Sequence, residues 1–315
     1  MIPLEDILRA RETIAGTAIR TPLVRLHVDE APAEVWLKLE TLQPINSFKI
    51  RGAYNAIACA PRGELAAGVV TASAGNMAQG VGWAARELGI PCTVIVPDHA
   101  PATKLAAIER LGGRFVKVPF DRWWQALEER GFPGVEGVFV HPVEDEPVMA
   151  GNGTIGLELL EDLPAPDTVI VPWGGGGLLT GIASAVKALR PETRVLAVEL
   201  ETAAPLTASL AAGEPREIDY RATWVDGAGA RAILPKMWEL GGPLVDGTVV
   251  VSLEETAAAV RLLAERVRVV AEGAGALAVA AALSGRAGGG TVVAIVSGGN
   301  IDASVLARIL EGETP

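Results

Sequence analysis

An α/β fold, with each domain a parallel or mostly parallel sheet flanked by helices, is what this sequence predicts. Three observations carry that prediction. Short β-branched runs alternate with longer amphipathic stretches through most of the 315 residues, the pattern of repeated β-α units. Three of the runs open into loops rich in Gly, Ser and Asn, at Ala72 to Asn76, Trp173 to Gly177 and Ser297 to Asn300. In parallel sheets, ligands bind in loops beyond the carboxyl ends of the strands. Finally, half the residues are hydrophobic, and a chain of this length fills two ordinary domains or one large one.

Taken in order, the expected elements begin with a strand at Val35 to Leu39 and an Ala-rich helix at Arg51 to Ala60. Gly68 to Thr71, Cys92 to Val96 and Arg114 to Val118 are strands by their β-branched content. Between them, Met77 to Leu88 and Thr103 to Leu111 have helical periodicity. A helix over Val148 to Leu160 leads to a turn at Leu163 to Asp167, marked by Pro164 and Pro166. The remaining units are a strand at Thr168 to Pro172, a helix at Gly177 to Leu189, a strand at Arg194 to Glu199, a helix at Leu253 to Arg268, a strand at Thr291 to Val296 and a helix at Ile301 to Leu310. No fixed-period repeat interrupts the series.

Bulk composition narrows the ligand class. A net charge of -11 and a pI of about 4.9 argue against nucleic acid or anionic membrane as a partner, which leaves small molecules. No apolar stretch approaches the roughly 20 residues that span a bilayer, and no basic segment with an apolar run opens the chain, so a cytoplasmic protein is expected. Cys59 and Cys92 lie far apart in apolar surroundings and are expected as buried thiols. His27, His99 and His141 show no close Cys/His spacing, which argues against structural zinc.

Only six lysines are present, and Lys49 in Ser47-Phe48-Lys49-Ile50-Arg51-Gly52 stands apart. At a helix start, beside an aromatic ring, the dipole and partial desolvation both disfavour an ammonium. A free amine is what Schiff-base chemistry needs. Gly174 to Gly177, between a buried strand and a helix, form a phosphate cradle in which backbone N–H groups face an anion; a tight turn without a ligand has the same letters. No lysine follows at the P-loop position. Ser73-Ala74-Gly75-Asn76 suits either a carboxylate site or a plain N-cap, and in the first case the Asn76 amide donates to a ring oxygen. Ser297, in Ser297-Gly298-Gly299-Asn300, follows a strand in the same way, where its hydroxyl could face a ring nitrogen. Gly151-Asn152-Gly153-Thr154-Ile155-Gly156 matches the dinucleotide fingerprint by letter but follows no strand, and Glu158 to Asp162 comes too early for the ribose acid.

In order and spacing, these motifs resemble the serine/threonine dehydratase family, from Thr21-Pro22-Leu23 through Ala271-Glu272-Gly273-Ala274-Gly275-Ala276 to the end of the chain. The resemblance implies the two-domain tryptophan-synthase-β-like fold of pyridoxal phosphate enzymes (fold type II). Its large domain is then 1–67 with 145–315, its small domain 68–144, and the protein a homodimer or homotetramer. Lys49 is then the catalytic residue and carries pyridoxal 5'-phosphate as a Schiff base, with Phe48 beside it. Gly174, Gly175, Gly176, Gly177 and Leu178 bind the phosphate, Asn76 the ring hydroxyl and Ser297 the ring nitrogen. A serine there leaves the nitrogen unprotonated and the electron sink weaker, which suits elimination. Ser73, Ala74, Gly75 and Asn76 take the substrate carboxylate, with Asp226 and Glu272 nearby. The activity implied is removal of water from L-threonine or L-serine, giving 2-oxobutanoate or pyruvate and ammonia, with Lys49 taking the α-proton. Serine racemase, a 3-hydroxyaspartate dehydratase and a non-catalytic amino-acid-binding module are the alternatives.

Several positions depart from the family pattern. Ala74 stands where racemase-type relatives carry a second serine, which favours dehydration over racemisation. Pro205 stands where they supply an aspartate to a cation site beyond a glutamate like Glu199, so no metal is expected. Met77 and Val143 replace a histidine and a ring-contacting asparagine. With the chain ending soon after Leu310, no isoleucine feedback through a carboxy-terminal module is expected.

Overall fold

The computed structural model describes residues 1–29 and 31–315. Its first half runs α1 (Leu4–Thr13), β1 (Leu23–Arg25), β2 (Glu34–Leu39), α2 (Lys49–Cys59), β3 (Val69–Ala72), α3 (Asn76–Leu88), β4 (Cys92–Pro97), α4 (Ala102–Arg110), β5 (Arg114–Val118), α5 (Phe120–Glu128), β6 (Val138–Phe139) and α6 (Glu146–Asp162). There follow β7 (Thr168–Pro172), α7 (Gly177–Leu189), β8 (Arg194–Leu200), α8 (Pro205–Ala212), α9 (Pro235–Gly241), β9 (Gly247–Val251), α10 (Leu253–Leu262), α11 (Gly273–Leu283), β10 (Thr291–Val296) and α12 (Ala303–Leu310).

Six strands form one sheet in the order β1-β2-β10-β7-β8-β9. Only β1 is antiparallel. The central strands β7 and β10 are apolar beyond their first residue because both faces are covered. Ile170, Val198, Val292, Ala294 and Val296 pack with α10 and α11 on one face, and Val169, Val171, Val293 and Ile295 with α6 and α7 on the other. A second, all-parallel sheet has the order β5-β4-β3-β6. Val69, Val94 and Val96 face α2, α3 and α4, while Val70, Ala72 and Ile95 face α5. Among the described residues no helix is long and apolar enough to cross a membrane.

The expected strands are all present, and β1, β6 and β9 add to them. Most helix boundaries shift by one or two residues, and two differences bear on the site and the fold. The helix expected from Arg51 begins at Lys49, and the one expected to reach Arg268 is α-helical only to Leu262. A π-helical turn over Leu263–Val267 and a left-handed Arg268 at φ 62° end it. Cys59 also corrects its expectation: it is exposed, whereas Cys92 is buried. α2 buries Ala53 and Ile57 against the small sheet, and a residue two places beyond Ile57 points about 200° away from that face.

The fingerprint-like glycines lie inside α6, where they permit close helix packing. A Cβ on Gly151 would sit 2.4 Å from the Arg51 carbonyl oxygen, and one on Gly153 2.9 Å from the Gly181 carbonyl oxygen. Beneath α2, the buried Arg51 guanidinium donates to Glu40 at 2.8 Å and Glu158 at 2.6 Å, while Lys38 reaches Glu158 at 2.6 Å. Two cations and two carboxylates thus neutralise one another. The Thr21 hydroxyl donates to Glu40 and that of Thr154 accepts from Arg51, which supplies the extra hydrogen bonds that buried charges require.

Candidate active site

A cavity of about 510 Å³ is lined by the loops that follow β3, β7 and β10, together with the start of α2. It therefore occupies the place where parallel sheets bind ligands. Lys49 lies on its wall as the first residue of α2. The loop before it is tied down by backbone. Phe48 N donates to the Ser297 carbonyl at 3.1 Å, and Gly299 N donates to that of Asn46 at 2.9 Å. Ser47 and Gly298 pair as an isolated antiparallel bridge.

The half-buried Lys49 amine donates to the Pro142 carbonyl oxygen at 2.9 Å and lies 5.1 Å from the Phe48 ring centre. Desolvation pushes its pKa down to about 8, against the pull of the Glu272 carboxylate. Desolvation is thus the leading cause of the shift. Burial pushes Glu272 up to about 7, and the charge of Asp226 adds to this.

The glycine loop faces the same cavity and is packed tightly behind. A Cβ on Gly175 would lie 2.5 Å from a Val143 methyl, one on Gly177 2.8 Å from the Val143 carbonyl oxygen, and one on Gly176 2.7 Å from the Trp173 ring. Gly176 has φ 93°, which side-chain-bearing residues rarely adopt. Among the described residues, the N–H groups of Gly174 to Leu178 find no backbone acceptor. They are free donors at the amino end of α7, a site for a phosphate ester.

Ser297 lines the cavity with its hydroxyl unpaired within the described chain, although its carbonyl is used by Phe48. Opposite, Ser73, Ala74 and Gly75 lead into α3. The Ser73 hydroxyl accepts from Gly75 N at 3.2 Å, as in an N-cap-like turn, and among the described residues the first N–H groups of α3 remain open. Asn76 Nδ2 donates to Glu272 Oε1 at 2.7 Å, while its Oδ1 accepts from Asn300 at 2.8 Å. One amide hydrogen of Asn76 remains for a ligand oxygen. Asp226 lies at the exposed rim, paired with Lys104 of α4.

All the residues nominated from sequence therefore border one cavity. An amine of lowered pKa, a backbone phosphate cradle, a free hydroxyl and a free amide hydrogen fit pyridoxal phosphate. Missing from the nominations are the turn His141 to Asp145, Asn300 and Lys104. The signals for the turn are Val143, which the resemblance sets at a ring-contacting position, and a His-Pro pair closing an apolar run. Glu199 is used otherwise: its carboxylate accepts from Leu206 N, Thr207 N and the Thr207 hydroxyl at 2.7–2.8 Å and so caps α8. No group of three or more His, Cys, Asp or Glu among the described residues is arranged to hold a metal.

Residues 14–298 match the family model described as pyridoxal-phosphate dependent enzyme. Over 318 aligned residues the chain is 43% identical to the L-threonine ammonia-lyase of Thermotoga maritima, covering 98% of this chain and 78% of that protein. Among solved structures, maize serine racemase superposes with a TM-score of 0.89 at 33% identity, covering 98% and 96% of the two chains. The processed threonine deaminase isoform 2 of Solanum lycopersicum gives 0.87 at 33% identity, covering 98% and 91%.

Proposed function

The chain belongs to the pyridoxal-phosphate dependent enzymes, and on that premise we propose that it is a threonine dehydratase, converting L-threonine to 2-oxobutanoate and ammonia. The observation that carries this reading is the Lys49 amine, held down to about 8 in a cavity shared with the glycine cradle and Ser297. Similarity to the Thermotoga maritima L-threonine ammonia-lyase selects the reaction.

Pyridoxal phosphate, when bound, supplies an electron sink for an amino acid joined to it. The chain's residues do the rest. Backbone N–H groups of Gly174 to Leu178 bind the phosphate, and the Ser297 hydroxyl orients the ring through its nitrogen. Ser73 to Asn76, with the open end of α3, take the substrate carboxylate. A neutral Lys49 accepts the α-proton, which a pKa near 8 permits in a useful fraction of molecules at neutral pH. The β-hydroxyl leaves as water, its extra proton balancing the α-proton taken up by Lys49, and hydrolysis of the released enamine gives the 2-oxo acid and ammonia.

Serine racemisation is the second reading because of the maize likeness. Ala74 argues against it, since a methyl group on the carboxylate loop cannot carry a proton to the opposite face. The same reading makes the protein a cytoplasmic homodimer or homotetramer, supported by the family likeness and checked by sedimentation equilibrium. Incubation with L-threonine, L-serine and D-serine tests the activity. Formation of 2-oxobutanoate from L-threonine is expected, with loss in Lys49→Ala of about 10²–10⁴-fold. Interconversion of serine enantiomers without 2-oxo acid would replace dehydration with racemisation, and ligand binding unchanged in Lys49→Ala without turnover would indicate a binding module.

A further inference from the structure

His141 lies behind the site, 4% exposed, at the head of a turn that touches both the amine and the glycine loop. Its Nδ1 faces two donors, Val143 N at 3.1 Å and Glu144 N at 2.9 Å. A ring nitrogen can accept only through a lone pair, so the proton belongs on Nε2, which looks toward the Glu144 carboxylate at 3.7 Å. The backbone N–H of His141 is itself held by Asp145 at 2.7 Å, and Arg130 pairs with the same carboxylate. Two consequences meet on the cavity. The Pro142 carbonyl is presented to Lys49 Nζ, and Val143 is pressed against the backs of Gly175 and Gly177.

We infer that His141 is a positioning residue. As a neutral acceptor it holds the 141–145 turn, and through Pro142 and Val143 it sets the Lys49 amine and the glycine cradle in mutual register. The inference rests on the pyridoxal phosphate reading above. The surroundings keep the ring neutral. Burial, followed by the charges of Arg130, Lys49 and Lys236, pushes its pKa down to about 3, while Glu144 and Asp145 are the facing acids. Protonation would turn Nδ1 into a donor aimed at two N–H groups.

Three readouts test this. In the wild-type apo-protein, nitrogen NMR of the three histidines should show His141 as the neutral Nε2–H tautomer at pH 7; an Nδ1–H or charged ring would overturn the inference. His141→Leu should weaken pyridoxal phosphate binding about tenfold or more, because two backbone donors lose their acceptor. It should also shift the Lys49 titration below about 8 in apo-protein carrying ¹³C-methylated lysines, since the carbonyl that favours the ammonium moves away. His141→Asn keeps an oxygen two residues before the Val143 N–H, as in an Asx-turn, and should restore binding to within about threefold. Wild-type affinity and Lys49 titration in His141→Leu, or no rescue by His141→Asn, would refute it. Should His141→Leu fail to fold, the wild-type tautomer and His141→Asn decide. If the wild type binds no pyridoxal phosphate, the proposed function fails, while the tautomer and the Lys49 titration still judge His141.

Discussion

A half-buried amine, Lys49, and a buried carboxyl, Glu272, carry shifted titrations at the scale of single residues. Lys49 is held below its ordinary value of 10.5, at about 8. Between those two values the unfolded chain binds more protons than the folded one, so this group makes stability rise with pH through the window. Below it, holding an ammonium in the cavity costs free energy. Apo Lys49→Met should therefore be more stable than wild type at pH 7, by about 1 kcal/mol once solvent in the cavity is allowed for. The advantage should shrink as pH rises from 8 toward 10.5, which thermal melts of both proteins across that range would show. Lys49 was legible from sequence because an amine after an aromatic residue at a helix start is an unusual placement. His141 was not, since a lone buried histidine has no sequence mark that separates an acceptor for backbone N–H groups from ordinary core.

Two glycine-rich segments show at the element scale how glycines serve different ends. Gly175 abuts the Val143 side chain, whereas Gly151 abuts the Arg51 carbonyl of a neighbouring helix. Gly175→Ala should keep the fold, displace Val143 and weaken cofactor binding by about tenfold, followed by visible absorbance titration. Gly151→Ala should lower unfolding free energy by about 1–3 kcal/mol, because a helix must move, and should leave the affinity of the molecules that remain folded close to wild type. Denaturant melts paired with titrations separate the two effects. The glycine tetrad was readable as a loop because a buried strand precedes it. The run at 151–156 has the letters of a loop and sits inside a helix, since what it accommodates is a neighbouring backbone.

For the whole molecule, the charged cluster of Arg51, Glu40, Glu158 and Lys38 ties α2, β2 and α6 together two residues along α2 from Lys49. Burial pushes the Glu40 carboxyl upward, but the charge and hydrogen bonds of Arg51, together with Thr21 and Lys38, outweigh this and hold it below its usual range. Arg51→Met leaves two carboxylates facing one lysine and should cost about 3–5 kcal/mol of stability, measurable by urea unfolding. By contrast Lys104 and Asp226 meet at the exposed rim, where such pairs contribute little. We propose the domain division 1–67 with 145–315 and 68–144, supported by the confinement of all four strands of the smaller sheet to Val69–Phe139. Limited proteolysis tests it, with cleavage expected near both crossings. α2 and the start of α6 nevertheless contribute Ala53, Ile57 and Val148 to the smaller sheet's core, so the two units share packing at that seam.

The sequence by itself determined the alternation of strands and helices, the lysine, and the three ligand loops, because each is written in neighbouring residues: β-branched runs, helical spacing, glycines at a strand end. Tertiary structure decided what depends on residues far apart in the chain. It brought Glu272 to Asn76, Pro142 to Lys49 and Glu158 to Arg51, and gave Glu199 to the start of α8. A side chain's burial, and with it the pKa of an amine or a carboxyl, is set by what the fold packs around it, and no local pattern specifies that neighbour.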